Sequence, residues 1–156
     1  MLQQEDFEEY AAIHMDPEVT KYTVRAHLSR SDAWRHLAIL VGHWHLRGFG
    51  MWGVFEQETN RLVGRVGFNE PDNWPGFELA WTIGRTFWGK GYATEAAKRC
   101  LDFAFEDMQR DHVISLIDPE NTSSIRVAER IGETLEGEMV VNEHRLLVYG
   151  VSSAES

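Results

Sequence analysis

The stretch Trp88-Gly89-Lys90-Gly91-Tyr92-Ala93-Thr94 sets two glycines and a lysine directly before the cleanest amphipathic pattern in the chain. Glycine leaves backbone N–H groups uncovered, and the positive end of the following helix points at the same spot. Such a turn is a cradle for phosphate. Arg85 lies just before it, and Lys90, Lys98, Arg99, Arg126 and Arg130 lie in or after it. A locally positive site on an otherwise acidic chain suits an anion.

Three kinds of phosphate compound compete for this turn. Gly84-Arg85-Thr86-Phe87-Trp88-Gly89-Lys90-Gly91 nearly fits the nucleotide loop GxxxxGK[ST], and the apolar run Val113–Ile117 ends in Asp118. Gly91, however, replaces the hydroxyl that would ligate magnesium. The bulky Thr86-Phe87-Trp88 interior also suits a phosphate wrap poorly. A dinucleotide fold fits less well, because only GxG is present and no repeated strand–helix units surround it.

The same stretch resembles the pyrophosphate loop of the GNAT superfamily of N-acetyltransferases, [QR]-x-x-G-x-[GA]. It matches at Gly91 and Ala93 and departs at Trp88. Extended through Glu95-Ala96, it is similar to the RimJ/RimL-like branch, which acetylates ribosomal-protein N-termini and in which Trp is familiar at the first position. A second block, from Asp118-Pro119-Glu120-Asn121 through Ser124, Arg126, Val127, Glu129 and Arg130 to Gly132, is similar to that branch's N-x-x-S-x-[RK]-V-x-E-[RK]-x-G. Asp16-Pro17-Glu18-Val19 resembles its early D-P-E-V loop. The resemblance covers nearly the whole chain. It implies one domain over residues 1–156, of α+β (mixed α/β) class. The implied GNAT fold has a central twisted, mixed, mostly antiparallel sheet flanked by helices. Members of the branch carry a strand of the type T-x-R-L-x-L-R before the first helix. This sequence begins almost at that helix, so the sheet is expected without the usual first strand, which is lost, precedes this sequence, or has its place filled by another segment.

The resemblance also implies acetyl-CoA as co-substrate, no metal, and direct attack by a primary amine in a ternary complex. Its pyrophosphate would lie on the N–H groups of Gly89, Lys90, Gly91, Tyr92, Ala93 and Thr94, in the loop that Trp88 opens. The amides of its pantetheine arm can pair like a strand, and Trp81, Thr82 and Ile83 are the expected rail. Asn121 faces the same cleft in this family, although by type it reads equally as a helix cap. Lys90 and Arg126 either steer phosphates or are surface charge. Glu78 is the candidate base, set against a solvent-facing strand glutamate. Ser124 is the candidate acid, set against a capping serine. Tyr92 is expected to turn away from the thioester. A second reading keeps the acyl-CoA pocket without turnover, as a sensor or interaction module.

These groups need elements to hold them. Residues 6–15 read as a helix capped by Asp6, with Glu9 completing a capping box. A second helix runs from about Asp32 to Arg47 with Trp34, Leu37, Ala38, Val41 and Trp44 on one face. Met51–Phe55 and Leu62–Phe68 form a hairpin, and Phe77–Ile83 is a third strand. Trp74-Pro75-Gly76 could line the acceptor pocket before it. Ala93, Ala96, Ala97, Cys100, Leu101, Ala104, Phe105 and Met108 make one helical face. A strand at Val113–Ile117, a helix at Ser123–Ile131 and strands at Thr134–Val141 and Arg145–Val151 complete the order.

The formal net charge of -10 opposes a nucleic-acid partner, which needs a basic face. It is compatible with a cationic acceptor: a protein N-terminus, an aminoglycoside-like amine, a polyamine or an amino acid. No apolar run approaches the roughly 20 residues that span a membrane, and the polar N-terminus does not suit a signal peptide. One cysteine, Cys100, excludes a disulfide framework, favours a reducing, cytoplasmic setting and reads as packing. His43 and His45 point to different sides of a helix, so no metal site is expected. An open sheet edge would be compatible with a homodimer.

Overall fold

Residues 1–23 and 29–153 are described by the computed structural model. Its strands are β1 (Met51–Phe55), β2 (Leu62–Asn69), β3 (Glu78–Ile83), β4 (His112–Ile117), β5 (Thr134–Val141) and β6 (His144–Ser152). Its helices are α1 (Phe7–His14), α2 (Pro17–Thr20), α3 (Arg30–Arg47), α4 (Tyr92–Asp102) and α5 (Thr122–Arg130). The strands form one sheet in the order β1-β2-β3-β4-β6-β5. Every neighbouring pair is antiparallel except β3 and β4, which are parallel and meet at the single pair Glu78↔Ile114. The sheet is therefore two antiparallel leaves joined at one point. Among the described residues no strand precedes α1, and no helix is long and apolar enough to cross a membrane.

The two faces have separate cores. On one, Ala97, Cys100 and Leu101 of α4, with Ala104 just beyond, pack on Val66, Phe68, Leu79 and Val113. On the other, Tyr10 and Ala11 of α1 and Leu37 and Leu40 of α3 pack with Met51 and Leu62. The β5–β6 turn places Asn142 and Glu143 at φ 48° and 68°. Such a two-residue turn with both centres left-handed matches the twist of a hairpin.

Three expectations are corrected. Asp6 does not cap α1: its carboxylate accepts from the Gln3 N–H at 2.7 Å, closing a 3₁₀ turn that precedes the helix. Glu9 instead accepts from the Leu62 N–H at 2.9 Å, tying α1 to β2. In α3 the buried positions are Ala33, Leu37 and Leu40, while Trp34 and Val41 are exposed. Apolar residues surround this helix, so its periodicity fits more than one phase, and Ala33 lets α1 come close. The long helix after the glycine turn is α only to Asp102 and continues as a π turn over Phe103–Asp107.

Gly64 of β2 lies where a Cβ would come within 2.2 Å of the Thr82 carbonyl oxygen and 2.9 Å of Ile83 Cα. Both are backbone atoms and cannot give way. Gly64→Ala is expected to cost on the order of 3 kcal/mol or more in urea titration. Gly42→Ala, in mid-α3 with nothing within 4 Å, is expected to gain about 0.5–1 kcal/mol.

Candidate functional site

Along a strand, successive residues turn their N–H and C=O groups to opposite neighbours. Phe77 O accepts from the Ile114 N–H at 3.0 Å, and Gly84 N–H donates to Val63 O at 2.8 Å. Hence Phe77, Leu79, Trp81 and Ile83 address β4, whereas Glu78, Ala80 and Thr82 address β2. Beyond Glu78↔Ile114 the two strands separate. A continued parallel ladder would next join the Leu116 N–H to Leu79 O. Instead Leu79 O accepts from Ser115 Oγ at 2.8 Å, and the Leu116 amide acts on the Glu78 carboxylate. Further along, Ile83 O accepts from Trp88 Nε1–H at 2.7 Å. The amide and carbonyl of Trp81 and the amide of Ile83 are left on the open side of the gap. Two of the three expected rail residues thus offer backbone groups there. Thr82 turns its backbone to β2 and buries its side chain.

The gap leads to the glycine turn. Gly89 and Gly91 hold φ 74° and 85°, a region that side-chain-bearing residues enter at a cost. Gly91 is the N-cap of α4 and supplies no side-chain acceptor. The first N–H groups of the helix, at Tyr92, Ala93 and Thr94, therefore remain available to an anion. Lys90 is exposed, its ammonium 5.5 Å from the Phe87 ring centroid. Tyr92 turns away, donating its hydroxyl to Glu56 Oε1 at 2.8 Å. Arg85–Phe87 forms a 3₁₀ turn with Phe87 buried, so no loop wraps a phosphate in the nucleotide manner. A cavity of about 400 Å³ beside Tyr92 is lined by Glu56, Glu58 and Glu95. Three carboxylates make it the wrong side of the helix for a phosphate.

Glu78 lies at the mouth of the divergence and is 7 % exposed, not a solvent-facing strand residue. Its Oε2 accepts from Trp74 Nε1 at 2.7 Å and Asn69 Nδ2 at 3.1 Å. Burial pushes its carboxyl up to about 7, against the Asn69 and Trp74 hydrogen bonds and the charge of Arg65, which favour the ionised form. Arg65 is fixed in turn: its Nε donates to His14 Nε2 at 3.2 Å, and His14 Nδ1 faces Tyr10 O at 2.9 Å. Burial and the Arg65 charge hold His14 down to about 3, so it is a neutral acceptor.

Asn121 caps α5, its Oδ1 accepting from the Ser124 N–H at 3.2 Å. The cap takes the amide oxygen and leaves the NH₂ for other partners. Ser124 is half-buried in the first turn of α5, and no hydrogen bond joins it to Glu78. Arg126 is exposed on α5. Cys100 is buried, which pushes its thiol up to about 12. His43 bridges Phe49 O at 2.8 Å and the Glu70 N–H at 3.0 Å. Among the described residues no group of three or more His, Cys, Asp or Glu side chains is placed to hold a metal ion.

Sequence reasoning missed Asn69, Ser115, Glu133, and the indole of Trp88 as a cap on Ile83 O. Signals existed for two of them. Ser115 interrupts the apolar run Val113–Ile117, and Glu133 stands between Gly132 and a strand. Both are buried polar residues where the pattern calls for apolar ones.

A family model described as acetyltransferase (GNAT) domain matches residues 1–134. An uncharacterized N-acetyltransferase p20 of Bacillus licheniformis is 31% identical over 124 residues, 78% of this chain and 70% of that protein. With two Bacillus subtilis relatives the match spans about half of their length, 51% and 49%. The crystal structure of an acetyltransferase from Agrobacterium tumefaciens superposes with TM-score 0.86 at 30% identity, covering 97% of this chain and 88% of that one. Spermidine N-acetyltransferase from Vibrio cholerae, in complex with CoA and spermine, superposes with TM-score 0.78 at 18% identity over 97% and 92% of the two chains. At that identity the likeness is one of fold.

Glu78 and Glu133 both rise from 4.5 to about 7 on folding. Between those values the folded chain keeps protons that the unfolded chain has lost, so stability falls as pH rises through that window. His14, depressed from 6.5 to about 3, acts in the opposite sense, and the two carboxyls outweigh the one imidazole. The urea midpoint is expected to fall from about pH 5 to about pH 7, and less steeply in Glu78→Gln. Identical slopes in the two proteins would remove Glu78 from this account.

Proposed function

The chain belongs to the GNAT acetyltransferase family, and from that premise we propose that it moves the acetyl group of acetyl-CoA to a primary amine by direct attack in a ternary complex. The acceptor is a small-molecule amine or a protein N-terminus, and the RimJ/RimL-like branch and a cytoplasmic setting are part of the proposal. One observation carries it: the gap between β3 and β4, with Trp81 and Ile83 backbone groups open along it and the uncapped N-terminus of α4 at its end. A linear arm with amides and a pyrophosphate at one end has the chemistry to fill both.

Glu78 is the proposed base. Hydrogen bonds from Trp74 and Asn69 fix one carboxylate oxygen. A carboxyl near 7 is about half ionised at neutral pH and a stronger base toward an ammonium than an ordinary carboxylate. The neutral amine nitrogen then bonds to the thioester carbonyl carbon, the C–S bond breaks, and the thiolate leaves. The Ser124 hydroxyl is the proposed proton donor to that sulfur, and the second proton that the nitrogen sheds on becoming an amide replaces the one Ser124 gives up. Orientation of the two reactants in the cleft contributes the larger share of rate. Asn121, through its free NH₂, together with Arg126 and Lys90, is proposed to hold the coenzyme end.

Thiol release from acetyl-CoA, followed across a panel of amines and N-terminal peptides, tests the reading. Turnover is expected with at least one amine, and kcat/KM is expected to rise with pH through about 7 as Glu78 ionises. Glu78→Gln is expected to lower kcat by roughly 10²-fold or more with little change in coenzyme KM. Gly91→Val, forced out of its left-handed conformation, is expected to raise coenzyme KM instead. Tight coenzyme binding without thiol release on any acceptor would sink catalysis in favour of an acyl-CoA sensor.

A further inference from the structure

Across the sheet from Glu78 lies a second carboxyl that the proposed reaction does not use. Glu133 follows α5 and is 2 % exposed. Its Oε1 is 2.8 Å from Ser115 Oγ, and its Oε2 has no hydrogen-bond partner. Ser115 Oγ is also 2.8 Å from Leu79 O. A hydroxyl has one hydrogen, yet here it faces two groups that ordinarily accept.

Proton counting resolves the conflict. If Glu133 were ionised, Ser115 could serve only one of them. Either the buried carboxylate would have no donor on either oxygen, or Leu79 O would lose its cap at the point where the strands part. If Glu133 carries its proton, its O–H donates to Ser115 Oγ and Ser115 donates to Leu79 O. Both bonds are then made and no charge is buried. The surroundings favour that state. Glu136 on β5 and Glu78 on β3 both act on Glu133 as like charges. His112 on β4 pairs with Glu136 at 2.8 Å, and no ion pair reaches Glu133 among the described residues. Burial, with those two carboxylates, pushes it up to about 7 against the Ser115 bond.

We propose that Glu133 is a positioning residue: as a neutral acid it donates to Ser115, keeps the Leu79 carbonyl capped, and so holds the β3–β4 gap in the geometry that accepts the coenzyme arm. This rests on the reading that acetyl-CoA occupies the gap. Above neutral pH Glu133 loses its proton and Ser115 turns its hydrogen to the carboxylate. Leu79 O is then released into the gap, and coenzyme affinity falls.

The test is acetyl-CoA binding by calorimetry at about pH 6 and about pH 8.5, values on either side of a carboxyl near neutrality. Wild type, Glu133→Gln and Ser115→Ala are compared, with infrared spectra of the unliganded proteins. Wild type is expected to bind several-fold more weakly at the higher pH. Glu133→Gln keeps a donor that cannot ionise, and is expected to lose much less affinity over that range than wild type. Ser115→Ala is expected to bind weakly at both. The infrared band of a protonated carboxylic acid is expected in wild type below neutrality and diminished in Glu133→Gln. Ionisation of the coenzyme and of Glu78 is common to all three proteins and cancels in the comparison. Equal pH dependence in wild type and Glu133→Gln, or an unchanged band, would overturn the proposal. No binding at any pH with the band intact would overturn the coenzyme reading, and with it the ligand part of this proposal.

Discussion

Two parallel strands that bond at one end and part at the other strand a set of backbone groups. Each group needs a partner, because an unpaired N–H or C=O away from water costs as much as a lost hydrogen bond. Here that need is met by side chains at two places. Ser115 caps Leu79 O and the Trp88 indole caps Ile83 O. What stays open, at Trp81 and at the Ile83 amide, is the part of the ladder that the proposed coenzyme arm would pair with. The cleft is thus defined by which rungs the protein fills as much as by which it omits.

The same point explains why two carboxyls are buried in a small sheet. Glu78 shares a strand face with Ala80 and so looks toward α1 and α3, whereas Ser115 shares its face with Ile117 and looks toward α5. The divergence draws one acidic residue to each face, and the two act on one another through the sheet. They are compensated differently. Glu78 has donors from Trp74 and Asn69 and the charge of Arg65, so it can lose its proton and still be solvated by the protein. Glu133 has only Ser115. One face can therefore meet an ionised carboxylate with donors already in place, while on the other the same ionisation takes the Ser115 hydrogen from Leu79 O. His14 belongs to the first arrangement: protonating it would remove the acceptor that Arg65 Nε needs and set two cations together.

Much of this was legible in the chain, because backbone geometry announces itself through residue type. Gly89 and Gly91 mark left-handed positions. The alternation of β1 to β3 and the apolar face of α4 follow from periodicity, and the Asn121 block names a cap. Other features are invisible to such reading. The phase of α3 depends on which helix packs against it, since Ile39, Val41 and Leu46 are apolar but exposed. The burial of Glu78 depends on Trp74 folding back over it from a loop. Which side of β3 each carbonyl faces depends on a register set by β2. Ser115 and Glu133 were readable only as polar residues in the wrong place, a signal whose meaning needs both partners in view.

The two leaves also bear on how the molecule is assembled. The leaf β1-β2-β3 is drawn from residues 51–83 and the leaf β4-β6-β5 from residues 112–152. Within each, most pairings join segments close in sequence, which form early because little chain entropy is lost in closing them. The parallel contact Glu78↔Ile114 joins segments about as far apart in the chain as β4 and β6 are, and α4 lies in the connection that closes it. The gap is not a hole carved into a folded body but the seam along which two antiparallel leaves stop short of merging.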